Sequence, residues 1–116
     1  MLIPFILQKA LQLYPDKEAV VSGQQRFTYR EFADRVHRLA IFLQNEGVGR
    51  GDCLAILHQN SHEYLEAYFA AAFIGAVLNP LNFRLSPREL AYIVTDSSAT
   101  KLIAAPRFQE SVSALM

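Results

Sequence analysis

The run Cys53-Leu-Ala-Ile-Leu57 is apolar without a break and lies between two stretches of helical periodicity. Five consecutive apolar residues bounded by turn formers fit a strand covered on both faces, the situation in a parallel sheet with helices on either side. Upstream, Phe27-Thr28-Tyr29-Arg30-Glu31-Phe32 opens a helix. Thr28 can cap it, Glu31 can reach back to Thr28 as a capping box, and Phe27 and Phe32 form a hydrophobic staple. Phe32, Val36, Leu39, Ala40 and Leu43 follow as one helical stripe, and Gly47 supplies the left-handed residue that ends it. Downstream, Asn60 or Ser61 can cap a second helix with Glu63 in its first turn. Tyr64, Leu65, Tyr68, Phe69, Ala72 and Phe73 make its wide apolar face, and Gly75 closes it.

Ala76-Val-Leu78 reads as a second short buried strand. Ser86-Pro87-Arg88-Glu89 opens a third helix with cap, N1 proline and capping-box glutamate in place, and Leu85 and Leu90 as its staple. That helix runs through Ile93 and Val94 to Asp96, and Lys101-Leu-Ile-Ala104 reads as a third strand. The order is βαβαβ, which places the chain in the α/β class as a three-layer segment with a partly parallel sheet and right-handed crossovers. Ahead of this unit, Phe5 to Tyr14 suits a helix stopped by Pro15-Asp16, and Ala19-Val-Val21 and Arg26-Phe-Thr28 flank Ser22-Gly23 as a short hairpin.

The 116 residues amount to one ordinary domain. Eleven basic residues balance eleven acidic ones, so no long-range field of the whole chain draws in nucleic acid, an acidic membrane or a polyanionic substrate. A hydrophobic share of 52% against a charged share of 19% leaves apolar surface for a partner, the rest of a larger chain or a second copy. Cys53 is the only cysteine, which rules out an internal disulfide, suits a reducing, cytoplasmic setting and reads as a small core residue. The opening Met1-Leu-Ile-Pro-Phe-Ile-Leu has neither the preceding positive charge nor the small-residue cleavage site of a signal peptide. The longest apolar run, Tyr68 to Leu78, is about half of a membrane span.

Several residue groups call for a test as sites. Gly47, Gly49 and Gly51 alternate as in a phosphate loop, but such a loop follows a strand and opens a helix, whereas this one does the reverse; its glycines read as a helix stop and a turn. His58 and His62 have a metal-binding spacing only if both share a helix face, and here one ends a strand and the other begins a helix. His37 reads as a surface residue. The loop Asn79-Pro80-Leu81-Asn82-Phe83-Arg84-Leu85 leaves the carboxyl end of a strand, where open α/β sheets place ligands, and Arg84 could meet a phosphate or carboxylate. The alternative, favoured here, is that the asparagines bond their own backbone and Arg84 pairs with a neighbouring acid. Tyr64, Tyr68, Phe69 and Phe73 read as core. No nucleophile, base and oxyanion site assemble, so no catalytic, cofactor-binding or metal-binding residue is assigned.

The ordered segments carry a resemblance. Phe27-Thr28-Tyr29-Arg30-Glu31-Phe32 is similar to the first core motif of the adenylate-forming (AMP-binding) superfamily, and Phe73-Ile-Gly-Ala-Val-Leu-Asn-Pro-Leu-Asn82 resembles the second. Between and after them, Gly47-Val-Gly-Arg-Gly-Asp52, Ala55-Ile-Leu57, Asn60-Ser61, Arg84-Leu-Ser-Pro-Arg-Glu-Leu90 and Tyr92-Ile-Val-Thr-Asp-Ser97 follow the family's order over Pro15 to Ala104. The Asn79-to-Leu85 segment resembles the acyl-CoA synthetase branch, the fatty-acid–CoA ligases. The resemblance implies an enzyme that uses ATP and magnesium to turn a carboxylic acid into an acyl-adenylate and passes the acyl group to CoA. It also implies that residues 1–116 are the N-terminal segment of the AMP-binding domain, without the phosphate loop and the C-terminal lysine domain. The remainder of the same enzyme is then its partner, and the segment alone is expected to be inactive scaffold. A naturally short, non-catalytic interaction module is the alternative.

Overall fold

The computed structural model describes residues 2–59 and 61–115, so Asn60, one of the two candidate caps, lies outside the described residues. Helix α1 spans Leu2–Leu13, strands β1 (Glu18–Ser22) and β2 (Gln25–Thr28) form an antiparallel hairpin, and α2 spans Tyr29–Asn45. Then follow β3 (Cys53–Leu57), α3 (His62–Ile74), β4 (Val77–Pro80), α4 (Pro87–Asp96) and β5 (Ala99–Ala104). A 3₁₀ turn, Pro106–Phe108, leads into α5, Gln109–Leu115. This last helix has no counterpart in the elements read from the sequence.

The three later strands form one parallel sheet in the order β4-β3-β5, with Leu54 opposite Leu78 on one side and Lys101 on the other. The central position of β3 explains its unbroken apolar run, and Leu54, Ala55, Ile56 and Leu57 are fully buried. Alternation along this strand separates two cores. Leu54 packs with Val36, Leu43, Ala70 and Ala71 on the α2–α3 side, whereas Ala55 and Leu57 pack with Leu90 and Phe108 on the α4–α5 side. The sheet therefore has helices on both faces, as the βαβαβ order implies.

The helix boundaries follow the capping residues. Thr28 Oγ1 accepts from the Glu31 backbone N–H at 3.2 Å, and Glu31 Oε1 accepts from the Thr28 N–H at 2.9 Å. Ser86 and Glu89 repeat that reciprocal pair on α4. Ser61 caps α3 by accepting from the Tyr64 N–H. At the end of α2, Val48 N–H donates to Leu43 O and Gly47 N–H to Gln44 O, the two bonds of a Schellman motif, with Gly47 at φ +92°.

Two expectations need correction. The inward face of α3 is His62, Glu66, Ala67, Ala70, Ala71 and Ile74; Leu65 and Tyr68 are exposed, while Phe69 and Phe73 are only partly buried against the α2–α3 core. This helix is apolar nearly all round, so periodicity does not choose a face, and alanines let it approach α2 and the sheet more closely than aromatic rings would. Strand β4 begins at Val77 and is an edge, with Val77 59% exposed, so it is not a strand buried on both faces. Cys53 is half-buried at the start of β3.

Candidate functional site

Parallel strands deliver their carboxyl ends to one rim, and the chain crosses to opposite faces after β3 and after β5, so the rim between these two strands is a topological switch point. His58, the first residue past β3, is 6% exposed and has Nδ1 3.0 Å from the Gln59 carbonyl and 3.3 Å from Ser61 Oγ. With Nδ1 protonated, its hydrogen goes to the carbonyl. A cleft of about 330 Å³ opens beside it, bounded by Arg35, Arg38, Glu63 and Glu66 and by Ile103 and Ala104 of β5.

Under the cleft lies a charged chain that sequence reasoning missed. Glu66, inside α3 with its side chain 7% exposed, receives both Nε and an Nη of Arg35 from α2 and sits 3.0 Å from His62 Nδ1. The Glu66 hydrogen bond raises the Arg35 pKa, burial of the guanidinium opposes it, and the fields of Glu66 and Glu63 add to the rise. Phe27 completes the assembly: its ring centroid is 4.7 Å from that of His62 and 5.2 Å from the Arg35 guanidinium carbon. The His62 backbone N–H also donates to Ser22 Oγ at 3.2 Å, which ties the hairpin to α3. Arg35 and Glu66 are 31 positions apart on different helices, so no local pattern signals the pair.

His58 and His62 occupy a strand end and a helix start, as expected, and bond to different partners. Among the described residues no three His, Cys, Asp or Glu side chains cluster as a metal site. His37 is exposed and meets the Phe73 ring edge-on at 5.1 Å. The glycine loop spends its donors internally. Gly47 N–H goes to Gln44 O, Gly49 N–H to Asp52 Oδ2 at 2.7 Å, and Gly51 N–H to Gly75 O at 2.9 Å. A phosphate cradle needs free N–H groups, so this loop does not fit the phosphates of ATP.

On the other side of the sheet, the loop after β4 behaves partly as expected. Asn82 Oδ1 accepts from the Arg84 N–H at 3.0 Å, a local Asx turn, whereas Asn79 belongs to β4 itself. The acid partner expected for Arg84 is not what it meets. Its guanidinium stacks on Phe83 at 5.3 Å, and Arg107 approaches both Phe83 and Phe108, so the flat cations cover aromatic rings at the rim. No helix among the described residues is long and apolar enough to cross a membrane.

The family model for AMP-binding enzymes matches residues 7–115. The chain is 42% identical over 93 residues to 4-hydroxybutyrate–CoA ligase 2 of Metallosphaera sedula, covering 80% of this chain and 17% of that protein. It is 41% identical over 113 residues to the long-chain-fatty-acid–CoA ligase of Thermus thermophilus, covering 94% of this chain and 21% of that protein. Among solved structures, the N-terminal domain of FACL13 from Mycobacterium tuberculosis superposes with a TM-score of 0.92 at 30% identity, over 97% of this chain and 29% of that one. The chain thus spans about a fifth of the length of these curated relatives. With its parallel three-stranded sheet, two capping boxes and near-complete match, this chain belongs to the family of AMP-binding enzymes, as an N-terminal segment with the acyl-CoA ligase fold.

Proposed function

We propose that this chain is the scaffold-forming N-terminal part of an AMP-forming acid–CoA ligase acting on a fatty acid in the cytoplasm, and that residues 1–116 alone carry no catalysis. The whole enzyme would use ATP and magnesium to form an acyl-adenylate with release of pyrophosphate, then transfer the acyl group to the CoA thiol. The observation that supports the scaffold reading is how the first family motif is used. Thr28 and Glu31 cap α2, and Phe27 lies between Arg35 and His62, so each of these side chains is engaged inside the fold. The internally bonded glycine loop points the same way. Stabilisation of charge on transferring phosphates depends on positioned donors and cations, and the segments expected to bring them lie outside these residues.

The rest of the same enzyme is the proposed partner. Ile41, Phe42, Val77 and Tyr92 are exposed, so the isolated segment is expected to self-associate. The relatives' printed names span a four-carbon hydroxy acid and long-chain fatty acids, so the acid is the finer part of the proposal. The experiment is ATP–pyrophosphate exchange by the full-length ligase with a series of straight-chain, hydroxylated and aromatic acids. Exchange strongest with a fatty acid supports the assignment; exchange confined to aromatic or hydroxy acids removes the fatty-acid element, and none with any acid removes the ligase.

A further inference from the structure

We infer that the outer stripe of α1 is a docking surface for an anionic lipid bilayer. Leu7 and Leu11 turn inward to the core. On the opposite side, Phe5, Lys9 and Leu13 follow at a spacing of four with Ile6 beside them, and Phe5, Ile6 and Leu13 are each more than half exposed. Tyr14 extends the exposed apolar surface past the helix end. Lysine ammoniums hang over two of these rings, Lys9 Nζ 5.9 Å from the Phe5 centroid and Lys17 Nζ 4.5 Å from that of Tyr14.

Charge selects the occupant. Leu2–Leu13 contains no acid, and the two acids just beyond it are already engaged, Asp16 by Arg30 and Glu18 by Arg26. Among the described residues neither Lys9 nor Lys17 has an acidic partner, so the apolar stripe carries two uncompensated positive charges. Lysine is depleted from the cores of protein–protein interfaces, which weighs against a second copy. A bilayer interface suits this set: aliphatic side chains enter the acyl boundary, aromatic rings sit at headgroup level and lysines extend to anionic headgroups. At 12 residues, α1 can lie in this interface but is too short to span it. Among the described residues no lysine ammonium lies over the ring of exposed Phe42, Tyr68 or Tyr92. This surface is separate from the ligase chemistry and does not depend on that proposal.

The test is flotation of the full-length protein with vesicles of phosphatidylcholine, with and without phosphatidylglycerol. Binding is expected only with phosphatidylglycerol and falls with added salt. Each lysine near such a surface contributes about fivefold, so Lys9→Gln with Lys17→Gln lowers partitioning about twenty-five-fold. Phe5→Gln with Leu13→Gln also lowers it, while Tyr92→Gln leaves it unchanged. The lysine substitutions remove no buried contact, so their result stands even if the apolar pair perturbs folding. Absence of flotation overturns the inference, as does flotation indifferent to the lysines. A dimer in sedimentation that is lost with Leu13→Gln, without vesicle binding, assigns the stripe to a second copy instead.

Discussion

Replacing Arg35 with alanine strands the Glu66 carboxylate inside α3, where its side chain is 7% exposed. A fully buried charge deprived of its partner costs about 3–5 kcal/mol. Two features reduce this figure. The Arg35 side chain is 43% exposed, so solvent already screens part of the pair, and His62 Nδ1 remains 3.0 Å from the carboxylate. Loss of the guanidinium above Phe27 adds about 0.5 kcal/mol. The expected cost of Arg35→Ala is therefore about 2 kcal/mol. Glu66→Leu leaves a guanidinium able to turn to solvent and a histidine without its acceptor, so it costs less, about 1 kcal/mol. Adding Glu66→Leu to Arg35→Ala removes the stranded charge and recovers most of the loss. Urea midpoints with a shared slope measure all three. The reasoning fails if Arg35→Ala shifts stability by less than about 0.5 kcal/mol, or if the double variant costs the sum of the singles. On pH, the raised arginine pKa makes its contribution complete below the ordinary arginine value and lost only as pH rises through the raised value in strong alkali. Between neutral pH and pH 10 the Arg35→Ala deficit should stay constant, and a deficit that disappears there would contradict that sign.

Thr28→Ala removes one half of the α2 capping box and is expected to lower stability by about 1 kcal/mol while leaving the KM for ATP of the full-length ligase unchanged; steady-state kinetics checks the second part. Gly75→Ala combines a residue at φ +75° with a Cβ placed 3.2 Å from Arg50 Cγ, for an expected loss of about 1–2 kcal/mol by thermal unfolding. Arg50→Ala in that background relieves the contact but not the backbone strain, so recovery should be partial. Leu54→Ala empties a fully buried position on the central strand and is expected to cost about 3–4 kcal/mol, measured by urea unfolding; a cost below about 1 would mean that β3 is not central.

Local signals made much of this fold readable. Thr28, Glu31, Ser61, Ser86 and Glu89 mark helix starts, Gly47 and Gly75 mark helix ends, and Cys53–Leu57 shows the two-sided burial of a central strand. What escaped depends on distant partners. The orientation of α3 was ambiguous because its alanines and aromatics alternate around the whole helix, and only packing against α2 decides which side turns in. Val77 looks like a core residue until strand order places it on an edge. Arg84 lies near an acid in sequence, yet its exposed guanidinium stacks on the Phe83 ring. The Arg35–Glu66–His62 chain was hidden for the same reason: nothing next to Glu66 in the sequence signals a partner, and the guanidinium that meets the buried carboxylate is 31 residues away.

The central claim, that the first motif and its surroundings are scaffold, is tested most directly by ATP–pyrophosphate exchange with residues 1–116 alone, in the presence of magnesium and a fatty acid that supports exchange by the full-length ligase. The expected result is no exchange above that seen without protein. Exchange dependent on the fatty acid and on this chain would contradict it, because it would require phosphate-binding groups among residues assigned here to caps, turns and core.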